Sequence, residues 1–161
     1  MPPVDPTQFR HLLSRFATGV TVVTALDPGG RPAGMTASAL ASVSLDPPLL
    51  LVCVGHRAEF HRTIGQAAQF GLNVLAADQE HLSRLFAAKG VDHFASVPYR
   101  AGPGGVPLLD GVVAHIVCDR TGQHEAGDHT VFLGLVTGGE TFARAPLLYF
   151  GSQYTSTRDP T

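Results

Sequence analysis

The chain has 161 residues, 44% of them hydrophobic and 15% charged, with a formal net charge of −2 and a pI near 6.4. That balance argues against a basic nucleic-acid-binding face, and no apolar run approaches the ~20 residues of a membrane-spanning helix. The length fits one domain, residues 1–161, and a surface this lean in charge fits partial cover by a partner subunit.

Met1-Pro2-Pro3-Val4-Asp5 lacks the basic start and apolar run of a secretory signal, so a cytoplasmic protein is expected. Residues 1–5 and 156–161 are expected to be flexible ends. Cys53 and Cys118 lie far apart inside apolar runs and form no C-x-x-C pair, which reads as two buried free thiols.

The first element is a helix opened by Asp5-Pro6-Thr7-Gln8. Asp5 can cap it, Pro6 suits the first helical position and Gln8 can complete a capping box. Phe9, Leu12, Leu13 and Phe16 follow at helical spacing, and core packing is the expectation for that stripe. From Val20 to Ala25 the chain is β-branched enough for a strand, and Asp27-Pro28-Gly29-Gly30 turns it into a hairpin.

The next stretch, residues 34–48, is rich in hydroxyls and small side chains yet alternates like a strand. Met35, Ala37, Ala39, Ala41, Val43 and Leu45 would take one face; Thr36, Ser38, Leu40, Ser42 and Ser44 would take the other. A row of hydroxyls is a poor core surface, since each buried one needs a partner. It is either a solvated face or the lining for something flat, polar at its edges and phosphorylated. Pro47 and Pro48 close it.

Leu49 to Val54 is an unbroken apolar run, expected as a central strand buried on both faces. His56 to Ile64 reads as a short helix with Phe60 and Ile64 inward, and Gln69 to Leu75 as another strand. Asp78 is placed to cap a helix whose inner face carries Leu82, Leu85 and Phe86. Lys89 to Pro107 reads as a long surface loop. Val112–Cys118 and Thr130–Thr137 are paired strands joined by a polar connection from Arg120 to Asp128, and Leu147 to Phe150 is a last short strand. The absence of regular βα alternation excludes a doubly wound sheet and suits a closed antiparallel barrel.

Five segments resemble the flavin reductase family of short flavin:NAD(P)H oxidoreductases, the reductase halves of two-component flavin-dependent monooxygenases acting on phenols and hydroxyphenylacetate. They are Phe16-Ala17-Thr18-Gly19-Val20-Thr21-Val22-Val23-Thr24, Gly34-Met35-Thr36-Ala37-Ser38, Ser42-Val43-Ser44-Leu45-Asp46-Pro47-Pro48, Ala126-Gly127-Asp128-His129-Thr130 and Pro146-Leu147-Leu148-Tyr149-Phe150. They run in the family's order along nearly the whole chain. The resemblance implies a mainly β fold, a split antiparallel β-barrel of the FMN-binding type with short helices inserted between strands. It also implies non-covalent FMN or FAD, NADH or NADPH as electron donor, a homodimer, and a separate flavin-dependent monooxygenase to receive reduced flavin.

For the flavin, Thr36, Ala37, Ser38, Ala39 and Leu40 are the first candidates, with Ser42 and Val43 behind them and Cys53 and Val54 walling the ring. Its phosphate needs cationic or amide donors. Arg57, Ala58 and Glu59 open one helix and offer amides and a guanidinium; Ser83 and Arg84, near Phe86 and Ala87, offer a second set. Each arginine alone reads as a solvated surface residue; the resemblance is what turns both toward the ligand. Likewise His129 alone reads as a turn histidine beside a capping Asp128, whereas the resemblance implies that it contacts the nicotinamide nucleotide at the flavin's exposed face. Tyr149, Phe150 and Tyr154 read as core or dimer aromatics; in the family this segment borders the nicotinamide site.

No G-x-G-x-x-G or G-x-x-x-x-G-K-[ST] is present, so the nicotinamide would bind without a Rossmann unit. Nor does the spacing of the eight histidines match H-E-x-x-H or a helical i, i+4 pair, so no metal site is expected. Two competing readings are a flavin-binding module without turnover and a pyridoxamine-phosphate-oxidase-like enzyme. The Gly-Asp-His segment disfavours the first, and the lack of clustered basic residues the second. The tip Gln123-His124-Glu125 is given no role.

Overall fold

A computed structural model describes residues 2–157. In chain order the elements are α1 (Pro6–Leu13), β1 (Thr18–Gly19), β2 (Thr21–Leu26), β3 (Pro32–Ala37), β4 (Leu40–Leu45), β5 (Pro48–Gly55), α2 (Phe60–Gln66), β6 (Gln69–Val74) and α3 (Glu80–Ala87). They continue with β7 (Tyr99–Ala101), β8 (Pro107–Leu109), β9 (Ala114–Ala126), β10 (His129–Thr141), β11 (Leu147–Phe150) and β12 (Gln153–Ser156).

Seven strands form one antiparallel sheet in the order β3-β2-β6-β9-β10-β5-β4. β3 and β4 are neighbours in sequence yet lie at opposite edges of this sheet and do not pair, so the barrel is split at that seam. The residues bridging it, Ser38 and Ala39, are exposed, and the Ala39 carbonyl accepts from the Cys53 amide at 3.0 Å. The stretch 34–48 is therefore two strands rather than one, because the chain changes sheet edge where small residues allow it. β11 pairs with β1 and β12 in a second sheet, and β7 with β8 in a third.

The barrel interior holds Val23, Val52, Val54, Phe70, Leu72 and Phe132, closed by Phe60 and Ile64 from α2. A second apolar layer, with Val20, Val22, Leu75, Leu109 and Leu147, seats Leu82 and Phe86 of α3. β2 is the strand buried on both faces, since Val22 enters one layer and Val23 the other. β5 does not match that expectation: Leu50, Val52 and Val54 are buried while Leu49, Leu51 and Cys53 stay half-buried on the outer face.

Four further expectations are corrected. The stripe is not core, because among the described residues no element covers it: Phe9, Leu12 and Leu13 on α1, and Phe16 just beyond the helix end, are 50–70% exposed. Asp5 does cap α1, accepting from the amides of Thr7 and Gln8. Asp78 does not cap α3; its carboxylate pairs with Arg144 instead, and Gln79 occupies the cap position with its side chain turned away from the helix, accepting from Ala76 N–H and donating to Asp110 O. The expected loop 89–107 contains β7, and its end is tied down by Thr24 Oγ1–H donating to Pro107 O at 2.6 Å. The polar connection after Arg120 is in fact strand: β9 and β10 are thirteen residues each, joined only by Gly127 and Asp128. At the ends, Ser156 belongs to β12, and the expectation for residue 1 and residues 158–161 lies outside the described residues. Among the described residues no helix is long and apolar enough to cross a membrane.

Candidate active site

A cleft of about 830 Å³ opens beside β3, walled by Gly34, Met35 and Thr36 on one strand, by the β5–α2 corner from Gly55 to Phe60, by Phe86 to Lys89 at the end of α3, and by Gly127, Asp128 and His129. That volume lies within the range of small-molecule and cofactor sites. Gly34 lets α3 pack closely on β3, since a Cβ there would lie 2.9 Å from Val23 O and 3.1 Å from the Phe86 ring.

The β9–β10 turn delivers the histidine. Gly127 takes φ = +65°, the conformation that a two-residue hairpin asks of its first central position. His129 then pairs with Gly55 of β5, so its backbone is fixed by the ladder. Its Nδ1 lies 2.7 Å from Asp128 Oδ1, and that bond to His129 holds the Asp128 carboxyl below the usual carboxylate range. An ionised carboxylate only accepts, so Nδ1–H donates and, in the neutral ring, Nε2 is left as an acceptor. The ring is about half exposed.

Arg57 and Lys89 give the cleft two exposed cations with no ion-pair partner among the described residues. The amides of the β5–α2 corner are less available than their sequence implies: Ala58 N–H already donates to Gly55 O at 3.0 Å, and α2 has only seven residues. Thr36 is also partly committed. Its hydroxyl donates to Ser83 O at 2.6 Å, so toward a ligand it can only accept.

Of the sequence candidates, the cleft brings together Thr36, Arg57, Ala58, Glu59, Phe86, Ala87, Asp128 and His129. Ala37 and Val54 are buried in the core; Ser38 and Ala39 are exposed at the seam; Leu40, Ser42 and Val43 lie on β4, with Cys53 facing outward from β5. Ser83, Arg84, Tyr149 and Tyr154 gather elsewhere, where α3 meets β11 and β12. Ser83 is buried with its Oγ 2.9 Å from Tyr154 Oη, Arg84 pairs with Glu80, and its guanidinium lies 5.0 Å from the Tyr154 ring centre. Glu80, Arg84, Tyr149 and Tyr154 line a separate polar cleft of about 390 Å³. Phe150 is exposed on β11.

Sequence reasoning missed Lys89, His93 and His56, all of which line the main cleft. His93 stacks on Phe86 at 5.3 Å, and Glu59 accepts from the Gly90 amide at 3.2 Å, which brings the segment after α3 over to the cleft. Among the described residues no group of three or more His, Cys, Asp or Glu side chains could hold a metal ion.

The family described as "Flavin reductase like domain" matches residues 13–158. The chain belongs to that family. It is 42% identical over 154 residues to a probable flavin reductase of Rhizobium meliloti (strain 1021), covering 96% of this chain but only half of that relative's length. It is 37% identical over 153 residues to the reductase subunit HsaB of a flavin-dependent monooxygenase of Rhodococcus jostii (strain RHA1), covering 94% of this chain and 78% of the relative. Among solved structures, the NADH:FAD oxidoreductase SgcE6 of Streptomyces globisporus C-1027, in complex with NAD and FAD fragments, matches with a TM-score of 0.89 and 41% identity over 96% of both chains. The mainly β, split-barrel architecture is thus the one its relatives share.

Proposed function

We propose that this single-domain chain is a cytoplasmic, homodimeric flavin reductase that moves a hydride from NADH or NADPH to FMN or FAD and passes the reduced flavin to a separate monooxygenase. The observation that carries the reading is the meeting of His129 and the Gly34-Met35-Thr36 strand in one cleft that also holds two cations with no ion-pair partner among the described residues. The monooxygenase partner draws support from the Rhodococcus relative, and the use of NADH from the Streptomyces protein.

The residues present fit such ligands. Arg57 and Lys89 offer the charge that phosphates need, and the Phe86 ring offers an apolar wall. When bound, the flavin ring supplies the hydride acceptor, so the protein needs no nucleophile and contributes orientation and water exclusion. Asp128 orients the imidazole, and His129 Nε2 is the acceptor for an amide or ribose hydroxyl of the nicotinamide nucleotide.

The test is NADH and NADPH oxidation by the purified protein, followed by absorbance with FMN, FAD or no flavin added. Turnover that depends on added flavin is expected. Flavin binding without turnover with either nucleotide would replace the reading with a flavin-carrying module.

A further inference from the structure

The tip of β9 carries a carboxylate tied into the wall of the cleft. Glu125 Oε2 lies 2.8 Å from His56 Nε2, and Glu125 Oε1 accepts from Thr130 Oγ1 at 3.0 Å. Thr130 Oγ1 lies in turn 2.8 Å from His61 Nε2. A hydroxyl has one proton, and Thr130 spends it on Glu125, so His61 Nε2 must be the donor in that bond. The result is a directed network, with both hydrogen-bond paths ending on Glu125. It ties the β9–β10 hairpin, through Glu125 and Thr130, to the distant β5–α2 corner through His56 and to α2 through His61.

This network sits directly beneath the catalytic turn. Thr130 is fully buried and is the residue after His129; Glu125 is its partner across the ladder. His56 makes a second attachment, its amide donating to Asp128 O at 3.0 Å. His56 thus holds the turn both by its backbone, at Asp128, and by its ring, at Glu125. Without the ring contact, a hairpin tip whose residues 123–129 are all exposed would be anchored at its end by the ladder and one amide alone.

We infer that Glu125 is a positioning residue for the reductase reaction, clamping the β9–β10 turn to the β5–α2 corner so that His129 meets the nicotinamide nucleotide. The inference rests on the proposed reductase reading. Exposed ion pairs contribute little to stability, and the His56–Glu125 pair is such a contact, with side chains 39% and 65% exposed. With Glu125 gone the buried Thr130 hydroxyl can donate to His61 Nε2 after a tautomer change, so the effect should fall on nucleotide use rather than on folding.

The experiment compares wild type, Glu125→Ala, Glu125→Gln, Thr130→Val and the Glu125→Ala/Thr130→Val pair by steady-state kinetics with NADH, by flavin titration and by thermal unfolding. Glu125→Ala should raise KM for NADH about tenfold, with flavin affinity within twofold and the melting temperature nearly unchanged. Glu125→Gln keeps an acceptor for Thr130 and presents an amide that His56 can accept from after a tautomer change, so it should stay within about threefold of wild type. The double variant should be no worse than the more impaired single one, because both break one network. Wild-type KM in Glu125→Ala, or an equal loss of flavin affinity, would overturn the inference while leaving the reductase reading intact. A wild-type protein without flavin-dependent NADH oxidation would overturn both.

Discussion

His129 has one ring nitrogen committed to Asp128 and the other without a hydrogen-bond partner among the described residues, and that asymmetry makes its role testable. His129→Ala should raise KM for the nicotinamide or lower turnover about tenfold, the loss of roughly one hydrogen bond to a polar group, with flavin affinity within twofold. Equal loss of flavin binding would make His129 a structural residue of the turn. At this scale the sequence was informative where function sits in a contiguous motif. Gly127, Asp128 and His129 are adjacent, and the positive φ of Gly127 explains why glycine precedes them. It was silent where the site is assembled from distant segments. Lys89 and His93 follow a helix, and nothing in their local pattern says that Glu59, some thirty residues earlier, holds that segment by the Gly90 amide. Arg84 shows the converse. Its local sequence was read toward a phosphate, yet Glu80 one turn away and the Tyr154 ring already occupy its guanidinium.

Among elements, β10 is the strand on which the site depends, because it carries His129 at one end and runs between β9 and β5. Two of its glycines have opposite surroundings. A Cβ at Gly134 would lie 2.6 Å from Phe70 Cζ and 2.7 Å from Cys118 Cβ, whereas one at Gly138 would meet nothing within 4 Å. Both Phe70 and Cys118 are fully buried, so neither can swing into solvent. Gly134→Ala should therefore cost about 1–3 kcal/mol by overpacking. Gly138→Ala should be neutral or stabilising by up to about 1 kcal/mol, through the unfolded chain's lost freedom. Urea titrations of the two variants decide it, and equal destabilisation would show that strand geometry rather than core space sets the cost. The hydrophobic halves of β9 and β10 were legible from their apolar alternation. Their distal halves were not, because 120–126 is polar on both faces and leaves no period to read. Pairing across the ladder, not burial, keeps that part extended. The break at Ser38 and Ala39 was hidden for a related reason: small residues fit a continuing strand and a change of sheet edge equally well.

At the scale of the whole molecule the fold class was legible because strands, turns and the missing βα alternation all pointed one way, but what the surface does was not. Helical spacing identifies the apolar stripe of α1 without saying which molecule covers it. In the single chain none of the residues of α1 is buried, and Phe9, Leu12, Leu13 and Phe16 stand 55%, 53%, 50% and 70% exposed. Val43 and Leu45 on β4 are 48% and 92% exposed, at the sheet edge where the barrel is split. Moving one large apolar side chain from water to a buried site contributes about 1.5–3 kcal/mol. Several such side chains suffice to offset much of the entropy lost when two subunits join, which costs about 4–15 kcal/mol. The proposed homodimer therefore has an apolar surface with which to form, and Phe16, three residues past the end of α1, is its most exposed aromatic member. Phe16→Asp should leave the secondary structure seen by circular dichroism unchanged, since the ring is 70% exposed among the described residues. It should shift the molar mass measured by light scattering from two chains toward one and make that mass depend on concentration. A wild-type protein that runs as one chain at micromolar concentration would remove the dimer, and a Phe16→Asp variant that stays dimeric would move the interface away from α1.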